Sequence, residues 1–234
     1  MKSNNSLAGL FVMIGLAFLG LMLPVAMGKF KSFDRTVDVK GLCEREVKAD
    51  KVIWPICHKA VSNDLSAVTK MLENNGKTIL SFLKKNGVED AEITVAIPKI
   101  TDKLAQEYVS GEVGLRYLGK AVITVCSSDV DKILGVMGKT SELINGGINI
   151  NQEEWNCQPS FRFEGLNAIK PEMIAQATAN ARAAADQFAK DSGSKVGKIK
   201  SAAQGTFSIE DRDEGTPQVK KVRVVTYLTY YLKN

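Results

Sequence analysis

At 234 residues, with 44% hydrophobic and 24% charged side chains, the chain has the composition of a folded protein, and its length allows one large domain or two small ones. A formal charge of +5 without a dense basic block excludes a nucleic-acid patch; the richest run, VKKVR at Val219 to Arg223, falls in a predicted strand and reads as a solvated edge. The single histidine, His58, excludes a His-rich zinc site and an HExxH helix.

The first predicted element is apolar. Ser3 to Gly28 carries no charge, and Leu7 to Met27 is long enough to cross a bilayer, which takes about 20 residues. Two readings compete: a signal peptide with Lys2 as its n-region, cut after Ala26-Met27-Gly28, or an uncleaved single-pass anchor. The run exceeds the roughly 7 to 15 residues of a usual h-region, which favours the anchor. Lys29, Lys31 and Arg35 outweigh Lys2 and pull the orientation rule toward a cytoplasmic domain, but that rule weakens before a long domain. The expectation is an exported domain on a single-pass cell-membrane anchor, in the periplasm or otherwise outside the cytoplasm, with Lys29 and Lys31 near anionic headgroups. The chain then divides into a tail (1–6), the anchor or signal segment (7–27), a connector (28–34) and one continuous domain (35–234), since no low-complexity linker interrupts the last.

From Arg35 to Ser62 two alternating runs flank Lys48, Ala49 and Asp50, as in an antiparallel hairpin. Asn63 and Asp64 are placed to cap a helix whose Leu65, Val68, Leu72, Ile79 and Leu83 recur at the helical period; Gly76 inside it suggests a bend, and Gly87 is its stop. A strand at 91–100 is interrupted by Pro98, and 112–127 supplies another. Asp129 opens a helix over 130–147 that Gly146 and Gly147 close, followed by strands near 148–150 and 155–166.

A long helix of small residues then starts near Pro171 and ends before Gly193, a natural left-handed C′ residue. Its lean stripe, Ile174, Ala177, Ala181, Ala184 and Phe188, fits close packing against its own sheet or a neighbouring subunit, with Asp186 and Lys190 as an i,i+4 pair. Strands at 195–209 and 220–233 flank a polar turn. The predicted class is α+β: a mainly antiparallel sheet with long helices packed on it, preceded by one N-terminal transmembrane helix.

No catalytic, cofactor or metal constellation emerges. His58 neighbours Cys57, but adjacent strand residues point to opposite faces, so they do not form a nucleophile and base. GVMGKTS, Gly135 to Ser141, resembles half a P-loop, yet the required first glycine falls at Ile133 and the stretch sits inside a helical pattern. Glu210, Asp211, Asp213 and Glu214 are interrupted by Arg212 and lack EF-hand spacing, so they read as a solvated turn. Trp54 and Trp155 read as core or rim packing rather than a binding surface. Cys43, Cys57, Cys126 and Cys157 form no CxxC; Cys43 with Cys57 across the hairpin is one candidate bridge, and small core residues are the other reading.

Three stretches together resemble the SIMPL-domain family of bacterial envelope proteins. The first, Val37 to Val52, is similar to the family's opening strand and turn at Gly41, Glu44, Glu46, Val47, Ala49 and Asp50. The second is similar to its alanine-rich helix and Gly-Lys strand at Ala181, Arg182, Ala185, Ala189, Gly193 and Gly197; the third is the C-terminal strand pair. The resemblance, over Arg35 to Asn234, implies an α+β fold, an exported location, no established enzymatic activity and, in some relatives, ring- or channel-like assembly and tolerance of oxidative stress. The expected function is therefore a non-enzymatic, membrane-anchored envelope protein acting through self-association or protein binding, with a homo-oligomer or envelope proteins as partners. The alternative is a monomeric ligand-binding or stress-protective module with an apolar pocket between sheet and helices.

Overall fold

A computed structural model describes residues 4–32, 35–105, 114–151 and 154–233, with side chains described except at 4–8, 24–32, 151 and 155. In chain order the elements are α1 (Asn4–Ser32), β1 (Thr36–Lys48), β2 (Lys51–Ser62), α2 (Leu65–Lys85), β3 (Ile93–Val95), β4 (Lys99–Asp102), β5 (Tyr117–Ser127) and α3 (Val130–Met137). They continue with α4 (Ser141–Asn145), β6 (Ile150–Asn151), β7 (Ser160–Arg162), α5 (Leu166–Asp191), β8 (Lys195–Gln204), β9 (Ser208–Asp211) and β10 (Val219–Lys233). The class is α+β. The chain resolves into two compact units, one of residues 1–45, 168–208 and 222–234, the other of 46–167 and 209–221. Both are woven from non-contiguous segments, so no linker marks their boundary.

Unit one holds β1, β10 and β8 in that order, with β10 and β8 antiparallel. Its core is Val39, Ala181, Ala185, Leu228 and Tyr230. The buried stripe of α5 is Met173, Ala177, Ala181, Ala185 and Ala189, the row of every fourth residue, which is inclined about 26° to a helix axis. The expected stripe is corrected accordingly: Phe188 is 60% exposed, and Ile174 and Ala184 are only partly buried. Helix α5 begins at Leu166, so Pro171 lies inside it instead of in its first turn. It ends as predicted: Gly193 has φ +64°, its N–H donates to Lys190 O, and Ser194 N–H donates to Ala189 O, a Schellman closure.

Helix α1 is apolar, with Phe11 and Leu21 67% and 70% exposed. Among the described residues, no helix is long and apolar enough to cross a membrane. The expected transmembrane helix over Leu7 to Met27 is corrected in that sense. The side chains of Leu7, Ala8 and residues 24–27 lie outside the described set.

Unit two carries the second sheet, β3-β5-β2-β6, with β4 also pairing β5 and β7 also pairing β2, all antiparallel. The hairpin expected between Arg35 and Ser62 does not form, because β1 and β2 belong to different sheets. The residues between them are already engaged: Ala49 N–H donates to Gln218 O, and the Asp50 carboxylate accepts from the N–H groups of Glu164 and Gly165. Asp64 caps α2 through Ser66 N–H and Asp129 caps α3 through Lys132 N–H, as predicted. The single helix expected over 130–147 is two, broken at Gly138 to Thr140, and the strand expected at 155–166 shrinks to β7 after a 3₁₀ turn. Helices α2, α3 and α4 close over a core containing Trp54, Ile56, Ile79, Leu83, Ile123 and Ile133.

Candidate functional site

Strand β2 alternates, and its two faces carry different chemistry. Val52, Trp54, Ile56, His58 and Ala60 are buried on one face, where α2 packs. His58 interrupts this apolar series with an imidazole that is 1% exposed and lies in register with Ala121 of β5 and Ile150 of β6. Its Nδ1 has no hydrogen-bond partner among the described residues. Burial lowers the His58 pKa below the ordinary imidazole value, favouring the neutral ring, which offers one donor and one acceptor.

Opposite, α2 buries Val68, Leu72, Ile79 and Leu83, a helical repeat in which Gly76 stands where another large apolar side chain would complete the stripe. A Cβ at Gly76 would meet nothing within 4 Å. The missing side chain leaves a cavity of about 410 Å³ between α2 and the sheet, lined by His58, Leu72, Gly76, Leu80, Ile100 and Ile123. Glu73 and Lys77 of α2 also border it. Helix α2 remains continuous through Gly76. Closer to its start the same helix lies hard on the sheet: a Cβ at Gly119 would sit 2.6 Å from Leu72 Cδ1 and 2.7 Å from Val68 Cγ1.

The other face of β2 carries Cys57 and Lys59. Cys57 is bonded to Cys157, with their Cα atoms 5.7 Å apart, while Cys43 is buried and free and Cys126 exposed and free. The candidate Cys43–Cys57 bridge is thereby corrected, since it presupposed the absent hairpin. Lys59 and Lys120 face each other in register, and Glu154 Oε1 accepts from both, at 2.7 and 2.9 Å. These two hydrogen bonds hold the Glu154 carboxyl down at about 2. A smaller cavity of about 220 Å³ lies among Cys57, Lys59, Lys99, Lys120, Glu154 and Cys157. Trp54 is a core residue, whereas the Trp155 side chain lies outside the described residues.

Residues 37–226 match a family model, SIMPL, described as a protein of unknown function (DUF541). The chain belongs to the SIMPL family. No curated protein matches it. Most SIMPL motif residues serve the architecture. A Cβ at Gly41 of β1 would lie 1.8 Å from Ala177 O and 2.8 Å from Ala181 Cβ, so the glycine and the lean helix answer one another. Ala185 is buried beside Ala181, and Arg182 is exposed, 3.9 Å from Asp186 rather than bordering the core. Glu44 pairs with Arg223 at 3.5 Å, and Glu46 with Arg212 at 3.4 Å. Gly197 packs its Cα against Tyr231 O where the β8–β10 register shifts. In the acidic turn, Asp213 accepts from Thr216 and Arg212 and is held down at about 2, and Asp211 pairs with Lys220.

None of the SIMPL motif residues lines the α2 cavity. His58 enters sequence reasoning only as a rejected base, and Gly76 only as a bend. The signal that would have found the cavity is their combination: a glycine inside the apolar stripe of a helix, and one polar residue inside the apolar face of a strand.

Proposed function

We propose that this SIMPL protein is a non-enzymatic, membrane-tethered envelope module that binds a small molecule in the α2 cavity. The observation that carries the reading is the void at Gly76, where an added Cβ would meet nothing within 4 Å. Cavities of about 300 to 1,000 Å³ with apolar walls and few polar groups are the usual form of small-molecule sites. An exported location is supported by the Cys57–Cys157 bridge, since disulfides persist in oxidising compartments, and by the uncharged run from Ser3 to Gly28. Thermal unfolding of the full chain with a panel of small apolar compounds tests the reading, because a ligand that binds only the folded state raises Tm. At least one compound is expected to raise Tm in the wild type and not in Gly76→Leu. A panel without effect refutes it.

Self-association is the second reading. Its support is now the edge strand β8, with Ile199 47% exposed, rather than the alanine face of α5, which is buried within the chain's own unit. Sedimentation of the detergent-solubilised full chain tests it, and a strict monomer at micromolar concentration removes it.

A further inference from the structure

A second site opens on the face of β2 that carries Cys57 and Lys59. We infer that it holds a small phosphate dianion, free or as a monoester, among Lys59, Lys99 and Lys120. It is independent of the ligand proposed for the α2 cavity, and the failure of either reading leaves the other standing.

The strand register collects the charge. Lys59 of β2 stands directly opposite Lys120 of β5, and Lys120 directly opposite Lys99 of β4. Three lysines therefore form one row across three strands, with neighbouring Cβ atoms about 5 Å apart. Like charges directly opposite one another destabilise a sheet, so the row calls for counter-charge. Glu154 supplies one, through a single oxygen, to Lys59 and Lys120. The Lys99 ammonium has no hydrogen bond or ion pair among the described residues. With His58 neutral, three ammonium groups against one carboxylate leave two positive charges unmatched on the lining of the cavity of about 220 Å³.

Two further features shape the site. Between the pairs Val95–Ile123 and Lys99–Lys120, the edge carries Ala96, Ile97 and Pro98 against only Val122 and Ala121 of β5. This extra residue is a bulge, and Ile97, 90% exposed, borders the cavity there. At β2 the Cys57–Cys157 bridge ties down the turn that carries Glu154 and Asn156, so a covalent link holds that part of the wall.

Phosphate answers this lining better than a monocarboxylate does. A dianion matches both unmatched charges, a monocarboxylate one. Each ammonium has three donors, and Lys59 and Lys120 each spend one on Glu154, so donors remain on all three lysines for the oxygens of a phosphate. Beside the row, Ala96, Ile97 and Val122 offer apolar ground for the alcohol part of a monoester.

The test uses the full chain in nanodiscs of zwitterionic lipid, at pH 8, above the second pKa of about 6 of a phosphate monoester. Ionic strength is held constant with sodium chloride, because surface charge is screened by salt. Inorganic phosphate, phenyl phosphate and acetate are titrated calorimetrically, and backbone amide shifts locate the site. Saturable binding of a phosphate probe is expected with a Kd below about 1 mM, with shifts centred on Lys99, Lys120 and Asn156. Tighter binding of phenyl phosphate identifies a monoester, and equal or weaker binding identifies free phosphate. Lys99→Gln, an exposed change at a sheet edge, is expected to weaken binding at least about tenfold, the worth of one charge-assisted hydrogen bond. Glu154→Gln removes the competing carboxylate and is expected to tighten it, which loss of a merely structural contact would not do. No saturable binding of either phosphate probe, acetate binding as tightly as phosphate, or unchanged affinity in Lys99→Gln overturns the inference.

Discussion

Gly41 and Ala181 approach so closely that a Cβ at Gly41 would lie 2.8 Å from that of Ala181 and closer still to the carbonyl of Ala177. Small residues on both partners let α5 lie against β1, and three polar contacts fasten the same interface. Asn180 Nδ2 donates to Leu42 O at 2.8 Å, Arg45 pairs with Glu172 at 2.9 Å, and Cys43 Sγ donates to Gln176 Oε1 at 3.2 Å. Gly41→Ala is therefore expected to destabilise the protein by about 3 kcal/mol or more, since the clash is with backbone that has no rotamer to yield. Chemical denaturation checks this, and a loss below about 1 kcal/mol contradicts it.

Asp50 holds the entry to α5. Its two oxygens accept from Glu164 N–H and Gly165 N–H, both at 2.7 Å, just ahead of the first helical residue. Asp50→Ala should cost about 2 kcal/mol, and Asp50→Asn less, because the amide keeps one acceptor. Hydrogen exchange at Glu164 and Gly165 should accelerate in the alanine variant more than at the helix centre.

The Cys57–Cys157 bridge spans a sequence separation of 100 residues. Replacing both cysteines by serine should lower stability by about 2–5 kcal/mol. Non-reducing peptide mapping is expected to recover the Cys57–Cys157 pair and to leave Cys43 and Cys126 as thiols.

His58 makes stability depend on pH in a defined window. Its folded-state pKa is lowered from 6.5 by burial, so below about 6.5 the unfolded chain binds a proton that the folded chain resists. The His58 contribution is therefore fully present above that pH and declines as pH falls toward the lowered folded value, with a slope of at most about 1.4 kcal/mol per unit. Glu73 and Lys77 of α2 are the charged groups bordering the same cavity. Urea unfolding of wild type and His58→Gln between pH 7.5 and about 5 should show the slope in the first and its loss in the second; parallel curves count against it.

Glu154 acts in the more acidic range. Bonds from Lys59 and Lys120 hold its carboxyl at about 2 against an ordinary 4.5. The stabilisation is present above about 4.5 and lost as pH falls through about 2. Carboxyl-carbon NMR should place the Glu154 midpoint near the lower value, and Lys59→Met with Lys120→Met should return it toward the ordinary one.

Features set by neighbours in sequence were legible without coordinates. The repeat of Val68, Leu72, Ile79 and Leu83, the caps at Asp64 and Asp129, and the glycine turn at Gly193 each depend on backbone geometry within a few residues. The SIMPL motif was legible too, because Gly41 and the alanines of α5 are small for a steric reason that leaves a compositional trace. One local reading failed where distant groups intervened. The turn at Ala49 and Asp50 looks like a hairpin loop, but its polar groups are taken by Gln218, Glu164 and Gly165.

The sequence by itself thus determined helix α2, the caps at Asp64 and Asp129, the glycine end of α5, the α+β class and the uncharged N-terminal run, all consequences of local propensity and patterning. Tertiary structure alone decided that β1 and β2 part into different sheets, that Cys57 joins Cys157, and that His58 and Gly76 line one cavity. Each of these pairs residues far apart in the chain, and the choice among such pairings is made when loops close and apolar faces find one another, which no single stretch of residues encodes.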